Sequence, residues 1–250
     1  MSIILWDIPS TVGPWSPNTW KVRYCLNFKG IPYKTEWIEY PDIAPHCQKL
    51  GISHTMIKSD GTPYYSLPAI YDPSTNKHIA DSGKIVEYLE TQYTSAPSIF
   101  PYNTMGLSID FEEALDEKLS ALWQFAIPAI HDILNPASQE YFRTTREKSF
   151  DKKLEDVVPS LESDEGKEEW KKVEEGFAGM AVWYSKNGGK GPFLLGERVS
   201  WPDVVVAAHL LWLKAAWGEH DRKWKDVLGW QGGVWKALGE AMKEYEKKVD

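Results

Sequence analysis

The chain has 250 residues, 42% of them hydrophobic and 26% charged, which suits one large or two modest globular domains around a substantial core. A formal net charge of −8 argues against nucleic acid or an anionic membrane as a partner, and no run approaches the roughly 20 apolar residues of a membrane span. Thirteen tryptophans and twelve tyrosines either fill a core or line a cavity for flat organic ligands.

In chain order, Ser2 to Trp6 is a short apolar run typical of a buried strand, without the basic flank or the length of a signal peptide. Asp7 to Trp15 holds Pro9, Gly13 and Pro14 and reads as a loop. Ser16-Pro17 then starts a helix, serine as N-cap and proline at the first helical position, which Gly30 closes ahead of Pro32. A helix start reached from a strand leaves backbone N–H groups and the positive dipole end pointing outward, and this stabilises an anion such as a thiolate. Ser16 is therefore either a plain cap or a hydroxyl donor to that anion. Tyr33 to Glu39 alternates as a second strand, and strand–helix–strand over so short a span implies a parallel pair.

Pro41 to Thr62 suggests a broken helix and a loop. Ser66 to Tyr71 is a strand opened by Pro68, a candidate cis peptide; Asp72 to Asn76 is a turn, and Lys77 to Ala80 pairs back. Asp81-Ser82 caps a helix with an apolar stripe at Ile85, Val86, Tyr88 and Leu89. The order βαβ then ββα is a thioredoxin-like domain over residues 1–93, and residues 94–106 read as a linker.

Residues 107–250 are helical nearly throughout, so the expected fold class is α/β followed by all-α. Pro128 and Pro136 are expected to kink or end the first long helix, and Gln139 to Asp156 forms a charged amphipathic one. The acidic run Glu162 to Glu169 reads as a solvated loop entering a helix that ends at the glycine-rich break after Asn187. Ser200-Trp201-Pro202-Asp203 is a capping-box start for a helix apolar all round, hence buried and central. Shorter helices follow from Asp221 and Gly233. Cys25 and Cys47 form no CxxC pair and no metal-ligand cluster, which suits a reducing, cytoplasmic compartment and no bound metal.

Four motifs in order, Ser16-Pro17, Ser66-Leu67-Pro68-Ala69-Ile70, Asp81-Ser82 and Ser200-Trp201-Pro202-Asp203, resemble the successive signatures of the cytosolic glutathione transferases over essentially the whole chain. Ser16-Pro17-Asn18-Thr19-Trp20-Lys21-Val22-Arg23-Tyr24 and the Tyr64-Tyr65-Ser66 string look like the etherase-related branch, which includes a fungal-specific class.

That resemblance implies a chemistry. Glutathione is the co-substrate, and Ser16, assisted or replaced by Asn18, donates a hydrogen bond to its thiolate. Asp81 pairs with the γ-glutamyl ammonium, Ser82 binds the adjacent carboxylate, and Leu67 offers its backbone to the cysteinyl part, with Pro68 in cis. His54 is favoured for the glycyl carboxylate over Lys58 and Lys49. A hydrophobic, aromatic electrophile would lie between the domains against Trp15, Trp123 and Phe125, with Ile127 nearby. The resemblance implies a homodimer and xenobiotic or wood-extractive detoxification. A serine cannot form the mixed disulfide of cysteine-type relatives, so thiol-transferase activity should be weak. The alternative is a ligandin that carries polyphenols or other aromatics on the same fold.

Overall fold

In a computed structural model the structure describes residues 2–247, with Ser108 and Ile109 described by their backbone alone; the expected domain limits at Met1 and Asp250 lie outside them. The first half contains β1 (Ile3–Asp7), α1 (Pro17–Phe28), β2 (Tyr33–Trp37), α2 (Ile43–Lys49), the short hairpin β3 (Met56–Ile57) and β4 (Pro63–Tyr64), β5 (Ala69–Asp72), β6 (Lys77–Ala80) and α3 (Ser82–Gln92). Four strands form a mixed sheet in the order β2-β1-β5-β6. β1 runs parallel to β2 from Ile3↔Tyr33 to Asp7↔Trp37 and antiparallel to β5 with Trp6↔Ala69, and β5 pairs β6 with Ala69↔Ala80. This is the thioredoxin-like arrangement expected from the sequence, and the Leu67-Pro68 peptide is cis.

Two buried acids brace this half. Asp7, at the end of β1, accepts from Arg23 of α1 at 2.8 and 2.9 Å and from the Ile8 N–H at 2.7 Å, and Arg23 also donates to Thr35 of β2 at 3.1 Å. One guanidinium thus ties α1 to both parallel strands, which fixes where the helix begins. Asp72 accepts from Ser74 and from the hydroxyls of Tyr88 and Tyr93, both at 2.7 Å, fastening the hairpin to α3.

The second half contains α4 (Met105–Lys118), α5 (Trp123–Ile130), α6 (Pro136–Phe150), α7 (Leu154–Val157), α8 (Asp164–Tyr184), α9 (Trp201–Trp217), α10 (Arg222–Gly229) and α11 (Val234–Met242). α9 is buried through most of its length and packs against α1, so a long, largely buried helix joins the two halves. The connection after α3 is anchored: Glu90 accepts from Lys29 and the Ile99 N–H at 3.0 Å, while the Ile99 carbonyl accepts from the Trp201 N–H at 2.8 Å.

Several helix boundaries differ from expectation. The first long helix breaks near Leu119, where a 3-10 turn over Ser120–Leu122 keeps Leu119 and Leu122 on the core side while redirecting the axis. Pro128 sits inside α5, and Pro136 opens α6 rather than ending its predecessor, because a first helical residue has no N–H to lose. The charged helix correspondingly spans Pro136–Phe150 and stops at Asp151 with φ 53°. Much of the acidic run is helix: Ser163 accepts from the Gly166 N–H at 3.0 Å, and Asp164 and Glu165 occupy the first turn, where the dipole favours anions.

Gly176 of α8 lies against the end of α4, and a Cβ there would stand 2.1 Å from the Lys118 carbonyl oxygen. Gly176→Ala should therefore destabilise the fold by about 2–3 kcal/mol despite alanine's better helix propensity, read as a fall in the denaturant midpoint.

Candidate functional site

The sheet topology gathers several sequence-selected residues on one edge. β1 ends there, and α1 starts after the loop that leaves it. β5 begins beside Trp6, so Leu67 and Pro68 precede it on that edge. β6 ends opposite Ala69 and passes directly into Asp81 and Ser82, and the Asp81 N–H donates to the Pro68 carbonyl at 3.3 Å. Leu67 stands outside the strand pairing, which begins at Ala69.

Ser16 occupies the N-cap of α1 in extended backbone geometry (φ −65°, ψ 129°) and is 6% exposed. Its carbonyl accepts from the Trp20 N–H and the Thr19 hydroxyl, both at 3.0 Å, while its own hydroxyl makes no capping bond. Pro17 has no N–H, so Asn18 and Thr19 supply the free amides of the first turn. The preceding loop is held by the Thr11 N–H donating to the Ile133 carbonyl at 2.8 Å and by the Trp20 indole donating to the Pro14 carbonyl at 3.1 Å. Donors without an internal acceptor at the positive end of a helix can stabilise an anion.

Asp81 is the N-cap of α3 and accepts from the Lys84 N–H at 3.1 Å. Its backbone, at φ 82° and ψ 127°, lies in a region non-glycine residues rarely occupy, at a cost of about 1–3 kcal/mol. Ser82 is buried beside it. His54 is exposed, its ring centroid 6.3 Å from that of Tyr65, and the neighbouring Thr55 and Ser66 hydroxyls are 2.9 Å apart, so His54 borders the segment that leads into Leu67. Lys58 is exposed over the Tyr64 ring and Lys49 is exposed on α2.

Ser16 and Asn18 open onto a cavity of about 230 Å³ between α1, α5, α6 and α9. Its apolar walls include Trp15, Trp123, Ile127, Phe142 and Trp212. Phe125 is not among them: it is 1% exposed and turned away toward Trp170 of α8, with ring centroids 5.0 Å apart. The expectation that it forms part of the ligand wall is corrected.

Polar side chains that the sequence reading did not select also face this cavity: Lys21, Tyr40, Asp116, Arg146 and His209. Lys21 is buried and ion-paired with Glu112, which also accepts from the Trp201 indole at 2.9 Å. Burial pushes the Asp116 carboxyl up, with the Lys21 charge opposing it. His209 is 6% exposed, and its Nδ1 lies 2.8 Å from the Val205 carbonyl. Burial, reinforced by Lys21, lowers its pKa to about 3. The available signal was its type, a polar side chain in the middle of an otherwise apolar helix.

Cys25 and Cys47 are buried, and burial pushes both thiols up, so neither supplies a ready thiolate. No cluster of three or more His, Cys, Asp or Glu side chains able to hold a metal occurs among the described residues, and no helix of theirs is long and apolar enough to cross a membrane.

Residues 15–92 match the family model for the glutathione S-transferase N-terminal domain, and residues 107–245 match that for the C-terminal domain. The glutathione S-transferase-like protein ustS of Aspergillus flavus is 30% identical over 94% of this chain and 86% of its own. Among solved structures, the glutathione S-transferase CsGST63524 of Ceriporiopsis subvermispora, in complex with glutathione, superposes with a TM-score of 0.94 at 42% identity over the whole of both chains. Glutathione transferase GSTFuA3 of Phanerochaete chrysosporium superposes with a TM-score of 0.91 at 36% identity, over 100% of this chain and 99% of that one.

Proposed function

The chain belongs to the glutathione S-transferase family, and from that premise we propose that it is a serine-type transferase that adds the glutathione thiolate to hydrophobic, aromatic electrophiles. The observation that carries this is the Ser16 hydroxyl, uncommitted to its own helix, beside the free amides of α1 and an aromatic-walled cavity. A free thiol of pKa about 8.5 is mostly protonated at pH 7, and lowering it by two units takes about 2.7 kcal/mol of differential stabilisation. The hydroxyl and the helix terminus are suited to supply it, with Asn18 as assistant. The nucleophile is the substrate's sulfur, so Ser16 donates a hydrogen bond and forms no covalent intermediate.

The rest of glutathione would extend along the sheet edge. The Leu67 backbone meets its cysteinyl part, with the cis Pro68 presenting it. Asp81 pairs with the γ-glutamyl ammonium, Ser82 and the start of α3 hold the adjacent carboxylate, and His54 reaches the glycyl carboxylate. Residues 1–93 then bind glutathione, and residues 107–250, beyond the connection at 94–106, contribute the second ligand's site. Membership of the etherase-related fungal class, in a cytoplasmic homodimer working in detoxification, rests on the Ser16 to Tyr24 and Tyr64-Tyr65-Ser66 stretches that carry that resemblance.

Asp81→Asn keeps an oxygen for the Lys84 N–H but removes the charge. It should raise the KM for glutathione about 10- to 100-fold in a phenethyl isothiocyanate conjugation assay, with kcat little changed, because the ammonium is held equally before and during reaction. An unchanged KM would remove Asp81 from the site. The tryptophans on the cavity walls favour a second reading, a ligandin for polyphenols or other aromatics. That reading gains if such compounds quench tryptophan fluorescence tightly while turnover of aryl halides and isothiocyanates is negligible.

A further inference from the structure

His209 lies on α9 in the wall of the cavity onto which Ser16 opens, its ring centroid 6.0 Å from that of Trp123 and 6.2 Å from that of Trp212. A carbonyl oxygen can only accept, so the 2.8 Å contact with the Val205 carbonyl places the imidazole proton on Nδ1. Nε2 is then a bare acceptor. No described residue donates to it, and it is not among the fully enclosed polar atoms that lack a partner, so its free lone pair belongs to the cavity.

We propose that His209 determines specificity for the second ligand by accepting a hydrogen bond from a hydroxyl carried on the ligand's aromatic ring. This rests on the reading of the cavity as the second ligand's site. The pKa of about 3 makes the imidazole a fixed neutral acceptor and too weak a base to take a proton from a phenol. Of the charged groups facing the cavity, Lys21 and Arg146 offer only donors, and Lys21 already holds Glu112; Asp116 is a second acceptor, on α4 rather than α9, and it is left in place when His209 alone is replaced. An aromatic without a donor would displace water from Nε2 and leave a buried acceptor unsatisfied, whereas a ring hydroxyl replaces that water and keeps the bond. Trp123 and Trp212 supply apolar surface beside it, so ring and hydroxyl are recognised together.

The test is a double-mutant cycle between protein and ligand. Calorimetric titration would compare 2-naphthol with 2-fluoronaphthalene, near-equal in shape and differing in the donor, on wild type and on His209→Phe. The proposal expects the variant to lose about tenfold in affinity for 2-naphthol relative to 2-fluoronaphthalene, the scale of one buried neutral hydrogen bond. An unchanged ratio overturns it. A structure of the wild-type protein with 2-naphthol gives a reading that needs no variant: the naphthol oxygen should lie within about 3 Å of Nε2, and a hydroxyl directed elsewhere overturns the proposal. Absent glutathione turnover with the coupling intact would retire the transferase chemistry alone, and intact turnover without the coupling would retire the role of His209 alone.

Discussion

Ser16→Ala should reduce kcat/KM for glutathione conjugation about 30-fold near pH 5.5 while leaving thermal stability within about 0.5 kcal/mol of wild type. The two halves of that expectation separate the roles a serine can play at a helix start. If the hydroxyl capped α1, its loss would cost about 1 kcal/mol of stability; but it makes no capping bond, and the carbonyl that holds Trp20 and Thr19 is retained in alanine. If it donates to the glutathione thiolate, its loss raises the pKa of the bound thiol by roughly 1.5 units, since a hydrogen bond to a charged group is worth about 2 kcal/mol. The sign in pH follows. Below the wild-type thiol pKa both enzymes hold a small thiolate fraction and the full ratio is seen. Above the variant's pKa both are ionised and the deficit shrinks. A pH–rate profile from pH 5.5 to 9.5 checks this, and undiminished conjugation by the variant would remove Ser16 from the mechanism. Loss of activity in Asn18→Ala instead would move the role two residues along the same turn.

Asp203→Ala should have the largest effect on stability, about 4 kcal/mol, seen as a fall of about 10 °C in melting temperature. The carboxylate is buried and accepts from the Ser200 N–H at 2.9 Å, the Ser200 hydroxyl at 2.6 Å and the Leu194 N–H at 2.8 Å. Alanine leaves these donors unpaired at the start of α9, the helix that α1, α5 and α11 pack upon. The effect depends on pH in a definite direction. Burial pushes the Asp203 carboxyl up to about 6, with the Ser200 and Leu194 bonds opposing it, so the folded protein binds this proton more tightly than the unfolded chain does. The contribution of Asp203 is therefore greatest at low pH and declines as pH rises through about 4 to 6. The gap between wild type and variant should widen by about 2 kcal/mol from pH 7 to pH 4. Paired denaturant titrations would measure it, and a gap that narrows on acidification would contradict the buried-carboxylate account.

Much of the architecture is legible locally. Alternation at Tyr33–Trp37, the turn at Asp72–Asn76, Ser16-Pro17, Asp81-Ser82 and Ser200-Trp201-Pro202-Asp203 each settle backbone conformation within a few residues, and the elements formed there are the expected ones. Pro128 and Pro136 were misleading because proline removes only an N–H and fixes φ. Its consequence depends on whether it stands first in a helix, as Pro136 does, or near the end of one, as Pro128 does. The acidic run from Glu162 misled for a related reason: its composition reads as solvated, while the cap at Ser163 makes most of it a helix start.

The sequence by itself determined most of the main elements, their caps and the cis candidate at Leu67-Pro68, because these depend on dihedral preferences and hydrogen bonds between close neighbours; the pairing of β1 with β5, far apart in the chain with Leu5 opposite Ile70, brings the selected residues to one sheet edge. Only the tertiary structure decided the wall of the cavity. Trp123 and Phe125 are two residues apart on α5, about 200° around a helix, so the face that meets α9 and the face that meets Trp170 of α8 receive one each. His209 and Lys21 enter the site the same way: both look like core or surface residues until α1 packs against α9 and turns them toward the same space. Which side of a helix faces a ligand is set by its partners, and those partners lie scores of residues away along the chain.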